Sequence, residues 1–154
     1  MENESARATT VSVVAPGKDV VAPSSPTGLY AEAHAVDNRI ILTWNAPNID
    51  SDGGDLSGLS DYVLLRSIGV GSKFSVIDTI SSDETSFVDE LGLSGATEYQ
   101  YKIQALDQEG NRSLYSGIVS ATTAGIEMPR GVIATAGIGQ IFLSWNSSSE
   151  EALL

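Results

Sequence analysis

The sequence predicts an all-β sandwich of short antiparallel strands. Three observations carry that prediction. Apolar residues recur with a period of two, β-branched and aromatic residues gather in short runs, and turn-forming clusters separate the runs at sandwich spacing. No segment sustains a helical period.

The runs can be taken in order. "PTGLYA" (26–31) opens the array. "RIILTWNA" (39–46) alternates Ile40, Leu42 and Trp44 with Ile41 and Thr43. "DYVLLRS" (61–67) is a second apolar run. "KFSVIDTI" (73–80), "TSFVD" (85–89) and "LYSGIVSAT" (114–122) are rich in β-formers. "TEYQYKIQALD" (97–107) alternates most cleanly, with Tyr99, Tyr101, Ile103 and Ala105 on one face and Glu98, Gln100, Lys102 and Gln104 on the other. That is the pattern of a half-buried antiparallel strand. Between the runs lie "GVGS" (69–72), "SSDE" (81–84) and "DQEGN" (107–111), all turn chemistry.

Composition narrows the function. The chain has 154 residues, 42% of them hydrophobic, which is enough for one full domain with a core. Its formal net charge is −12, from 20 acidic and 8 basic residues. Such a chain repels phosphate backbones and anionic membrane surfaces, so neither nucleic acid nor membrane is an expected partner. No stretch approaches the ~18 apolar residues of a membrane span. The absence of cysteine removes disulfides, thiolate metal sites and cysteine nucleophiles. "MENESARATT" lacks the basic region and apolar run of a signal peptide. The expectation is a piece of a longer exported protein.

The chain also repeats itself. "NESARATTVSVVAPG" (3–17) aligns without gaps on "NRSLYSGIVSATTAG" (111–125), at an offset of 108 residues. "PTGLYA" (26–31) matches "PRGVIA" (129–134), and "ILTWN" (41–45) matches the end of "IFLSWN" (141–146). Trp44 and Trp145 lie 101 residues apart. A period near one hundred is domain-sized, unlike the short periods of solenoids.

These residues together resemble the fibronectin type III family. Pro26, Gly28, Leu29 and Ala31 resemble its first strand, and "ILTW" followed by Pro47 its second. Tyr62 in "YVLLR" resembles the start of its third. "LSGATEYQYKIQA" (93–105) is the most specific match, with Leu93, Thr97 and Tyr99 at the family's spacing and Tyr101, Ile103 and Ala105 after them. "GNRSLYSGIVSATT" resembles the last strand. The resemblance implies a seven-stranded immunoglobulin-like sandwich flanked by partial repeats. Residues 1–17 would be the last strand of a preceding repeat and 18–25 a proline-stiffened linker. Residues 26–123 would be the complete domain, 124–128 a second linker, and 129–154 the first two strands of a following repeat. It also implies a structural core of Trp44, Tyr62, Leu93, Tyr99, Tyr101 and Ile103. Tyr99 would be a tyrosine-corner residue bonding upstream backbone through its hydroxyl.

Candidate chemistry is sparse. His34 is the single histidine, and no nucleophile elbow accompanies it, so neither a hydrolase triad nor a zinc site is expected. "NIDSDGGDLSGLSD" (48–61) is the most acidic loop. Read as an EF-type calcium loop from Asp50, it puts Asp52 at position 3 and Asp61 at position 12. Position 6 is then Asp55, where glycine is required. A looser oxygen cage from Asp50, Asp52 and Asp55 stays open as a calcium candidate. Leu56 and Leu59 are expected to fold this loop back onto the sandwich. "DQEGNRS" (107–113) lies at the same end in the family's architecture and carries no Arg-Gly-Asp. Partner contact is therefore expected at Asp52, Asp55, Leu56, Glu109, Asn111 and Arg112. Tyr30 and Tyr115 could stack on sugars if exposed, but the reading favoured for both is edge-strand packing. No catalytic residue and no cofactor is expected.

The reading is a non-catalytic spacer and display unit of a secreted or surface protein, contacting protein or polysaccharide beside neighbouring repeats of its own kind. The alternative is an accessory module of a secreted carbohydrate-active enzyme.

Overall fold

The computed structural model describes residues 17–125 and 130–146. The strand expected within residues 1–17 lies, apart from Gly17, outside the described residues. So does most of the second linker, and so do residues 147–154.

Seven strands build the sandwich: β1 (Thr27–Ala33), β2 (Ile40–Asn45), β3 (Leu59–Ile68), β4 (Ser75–Ser81), β5 (Ser86–Asp89), β6 (Glu98–Asp107) and β7 (Val119–Thr122). One sheet has the order β1-β2-β5 and the other β4-β3-β6-β7. All pairings are antiparallel. A separate two-stranded hairpin follows, β8 (Arg130–Gly137) with β9 (Gln140–Asn146).

Alternation decides what is buried. The β2 residues Ile40, Leu42 and Trp44 face inward, and so do Tyr62 and Leu64 from β3. Tyr99, Tyr101, Ile103 and Ala105 do the same from β6. These close a core between two sheets whose facing layers pack ~10 Å apart. The Trp44 and Tyr62 rings meet edge-on with centroids 5.3 Å apart, the arrangement their quadrupoles favour. Leu93, expected inside, is half-buried at the rim of this core, because it sits in the irregular segment before β6.

The expected tyrosine corner is present. The Ser94 N–H donates to the Tyr99 hydroxyl at 2.8 Å. A second lock spans the sheets. Asp89 ends β5, is almost wholly buried, and accepts from the Tyr101 hydroxyl at 2.8 Å. Arg66 of β3 donates from Nη1 to both Asp89 oxygens at 2.8 Å and to the Leu91 carbonyl at 3.1 Å. Its guanidinium carbon lies 5.4 Å from the Tyr99 ring centre. Burial above all, together with the bond to Asp89, pushes the Tyr101 phenol well above its ordinary range.

Two elements differ from expectation. The last strand starts at Val119, five residues after the apolar run begins. Over the skipped stretch and just before it, hydroxyls join the ladder to β6. Ile103 N–H donates to Ser116 Oγ at 3.1 Å, and Ala105 N–H to Ser113 Oγ at 2.9 Å. Second, residues 18–25 are not a free connector over their whole length. Ser24 N–H donates to the Ile49 carbonyl and Ser51 N–H to the Ala22 carbonyl, while Pro23 and Pro26 are fully buried. The segment is docked on the sandwich.

Candidate loop-end site and exposed aromatic face

One end of the sandwich collects the acidic residues singled out above. It is built by the β2–β3 loop, the β6–β7 loop and the docked segment 18–25. Glycines allow the tight path, with Gly53 at φ 87° and Gly58 at φ 65°.

Asp50 is buried. Its Oδ2 accepts from Ser57 Oγ at 2.6 Å, and the Ser57 N–H points at its Oδ1 at 3.4 Å. Ser57 Oγ also stands 2.5 Å from Asp19 Oδ2. That contact, with the Val21 N–H on Asp19 Oδ1, holds the Asp19 carboxyl below its ordinary pKa. Asp52 is exposed and accepts the Gly54 N–H at 2.9 Å, a local turn bond. Asp55 is exposed and pairs through its backbone with Ile49. Leu56 is half-buried, and Leu59 packs on the core from the start of β3.

In the facing loop, Asp107 is buried. Its two oxygens accept from the Asn111 N–H and from Asn111 Nδ2, both at 2.7 Å. Asn111 Nδ2 also reaches the Asp19 carbonyl at 3.2 Å. Glu109 and Arg112 are exposed, and Arg112 Nη1 lies 3.4 Å from Gln104 Oε1.

The candidate calcium trio of Asp50, Asp52 and Asp55 is not assembled among the described residues. Among the described residues the group of three carboxylates that converges is Asp19, Asp107 and Glu109, with ligand oxygens within 4.8 Å. Asp50 turns inward to Ser57 while Asp52 bonds its own turn. Two of the converging carboxylates are already engaged by Asn111, Ser57 and Val21. His34 also behaves as a turn residue, with Nδ1 2.8 Å from Asp37 Oδ1, and Arg39 holds the other Asp37 oxygen at 2.9 Å.

The exposed aromatics separate in the fold. Tyr30 lies on the outer side of the three-stranded sheet, opposite Thr43. Tyr115 precedes β7 and receives the Lys102 ammonium 3.8 Å from its ring centre, with Phe74 on the same ammonium at 4.6 Å. Tyr115 also lines a groove of about 420 Å³ between the start of β1 and the approach to β7. Ser25, Thr27, Gly28, Ser116 and Gly117 line it as well, with the Ser25 and Ser116 hydroxyls donating to the Leu114 and Gly117 carbonyls. Sequence reasoning missed both the Arg66–Asp89–Tyr101 lock and the Lys102 sandwich. The first is assembled by packing one sheet on the other, since Asp89 lies in β5 and Arg66 and Tyr101 in the facing sheet, and the second by residues flanking β4 and β7 that fold over β6.

No family model matches the chain. Its relatives are informative. Exoglucanase B of Cellulomonas fimi is 36% identical over 124 residues, covering 79% of this chain and 10% of the enzyme. Chitinase Chi52 of Paenibacillus xylanexedens is 31% identical over 109 residues, covering 71% of this chain and 18% of the enzyme. The chain thus spans about a tenth to a fifth of these curated relatives. Among solved structures, an Fn3-like protein from Clostridium thermocellum is 29% identical, covering 70% of this chain and 99% of that one, with a TM-score of 0.53. The chain belongs to the fibronectin type III family. A human FNIII domain, 18% identical with a TM-score of 0.59, covers 79% of this chain and 95% of its own and agrees on the fold. The fibronectin type III sandwich here is the seven-stranded unit, and β8–β9 is additional to it.

Proposed function

We propose that this fibronectin type III chain is a non-catalytic spacer and display module of a larger secreted protein that acts on polysaccharide. The observation that carries the reading is the state of its loop end. Asp50 and Asp107 are buried and spent on backbone and side-chain donors, so they fasten loops rather than face a substrate. General acid–base work needs a carboxyl poised on a reacting proton. The resemblance to a small part of glucanases and a chitinase supports the setting. The docked segment 18–25 suits a spacer, since it fixes the direction in which the chain enters the sandwich.

The surface offered for contact is the Tyr115 groove. An exposed aromatic ring flanked by hydroxyls and an amphipathic lysine matches the alternating apolar faces and hydroxyl edges of a sugar chain. Retention of the full chain on insoluble cellulose, chitin and starch tests the reading. Tyr115→Ala should weaken retention by up to about tenfold. Equal retention of both proteins would remove the groove from the account, and capture of a protein partner in its place would reassign the surface. Release of soluble sugar by the purified chain would contradict a non-catalytic role.

A further inference from the structure

The β8–β9 hairpin reproduces β1–β2 in detail. Thr27 pairs with Asn45 and Tyr30 with Thr43, with a register shift between them. Arg130 pairs with Asn146 and Ile133 with Ser144, with the same shift. Each bulge carries a glycine in the left-handed region, Gly28 at φ 61° and Gly131 at φ 63°. In each, a Cβ would meet the amide nitrogen of the equivalent asparagine, 2.5 Å from Asn45 and 3.0 Å from Asn146. Bulges are specific devices that set register, so their repetition is informative.

The two faces of the hairpins differ in how well they match. On the inward face of β1–β2 stand Leu29, Ala31, Ala33, Ile40, Leu42 and Trp44. At the corresponding places β8–β9 has Val132, Ala134, Ala136, Ile141, Leu143 and Trp145, identical but for Leu against Val. On the outward face Tyr30, Glu32, Ile41 and Thr43 become Ile133, Thr135, Phe142 and Ser144. The face that is a core in the first copy is kept, and the face toward solvent has drifted. Yet Ile40, Leu42 and Trp44 are 0%, 0% and 4% exposed, while Ile141, Leu143 and Trp145 are 71%, 60% and 59% exposed. A large contiguous apolar face of this kind marks an interaction surface.

We infer that β8–β9 is the opening hairpin of a second sandwich, and that its apolar face is built to be covered by strands equivalent to β3–β7. A flat generic docking face would not need the bulge, the left-handed glycine and the Ala-Ala-Ile-Leu-Trp set together. The inference is independent of what the module binds.

A fusion tests it. A copy of residues 46–125 is placed directly after Asn146 of the chain. This adds the missing complement and no tryptophan, since the chain's two are Trp44 and Trp145. In the parent, a neutral quencher should reach one of the two tryptophans. In the fusion it should reach neither, and emission should shift to the blue. The same fusion carrying Leu143→Asp should return to the parent's behaviour. Trp145 quenched as readily in the fusion as in the parent would overturn the proposal, whether the added strands fold elsewhere or not at all.

Discussion

The Tyr101 hydroxyl of β6 lies 2.8 Å from Asp89 Oδ2 of β5, and so joins the two sheets across the end of the core. Arg66 of β3 completes the lock from the other side. A buried carboxylate held by a guanidinium and a phenol is costly to break from one side, because the surviving charge loses its partner.

Asp89→Ala should therefore destabilise the sandwich by about 3 kcal/mol or more. Arg66→Met should also destabilise it. The double variant should lose clearly less than the sum, because it removes both charges. Chemical denaturation of the four proteins measures the coupling, and simple additivity would show that the pair does not act as a unit.

The three buried tyrosines should respond differently to loss of the hydroxyl. Tyr99→Phe strands the Ser94 N–H, and Tyr101→Phe removes a donor from Asp89. Each should cost roughly 1–3 kcal/mol. The Tyr62 hydroxyl has no hydrogen-bond partner among the described residues, so Tyr62→Phe should be nearly neutral or stabilising. Thermal melts of the three variants give the order.

Alkali should unfold the domain cooperatively. Burial raises the Tyr101 and Tyr62 phenols above the ordinary value of 10.0. In the unfolded chain both ionise near that value, while the native sandwich keeps them protonated. The unfolded state then binds fewer protons, so stability is intact below pH 10 and falls as pH rises beyond it. Phenolate absorbance of these two tyrosines should appear together with loss of structure. Their titration in a chain that stays folded would contradict the packing.

The two tryptophans should differ sharply. Trp44→Ala opens the core and should cost roughly 3–5 kcal/mol, a large fraction of the ~5–15 kcal/mol of an ordinary domain. Trp145→Ala should change the midpoint of the central unit by no more than about 0.5 kcal/mol, since Trp145 is exposed. Denaturant midpoints of the two variants decide the matter.

The sandwich was legible because period-two alternation maps directly onto burial. Ile40, Leu42 and Trp44, or Tyr99, Tyr101 and Ile103, can be assigned inward from the sequence alone. The tyrosine corner was legible through the family resemblance of "LSGATEYQYKIQA", and its partner Ser94 lies five residues upstream. The loop-end chemistry was not. Whether Asp50 points to solvent or to Ser57 depends on a turn path set by several glycines, and Asp19 enters only because its segment docks across the end. The Arg66–Asp89 and Lys102–Tyr115 contacts join residues distant in sequence. The first follows from how the two sheets pack face to face and the second from the path of the chain before β7, neither of which a local pattern discloses.

The seven-stranded sandwich holds its acidic end by structural bonds to Asp50, Asp107 and Asp19. Amide hydrogen exchange on the full chain tests it most directly. The β2, β3 and β6 amides should open only with global unfolding. Those of Ser51, Gly54 and Asn111, which are bonded to Ala22, Asp52 and Asp107, should be clearly protected. The β8–β9 amides should exchange faster than the core. Unprotected Ser51, Gly54 and Asn111 beside a protected core would mean a loop end free to reorganise around a substrate, and would contradict the account.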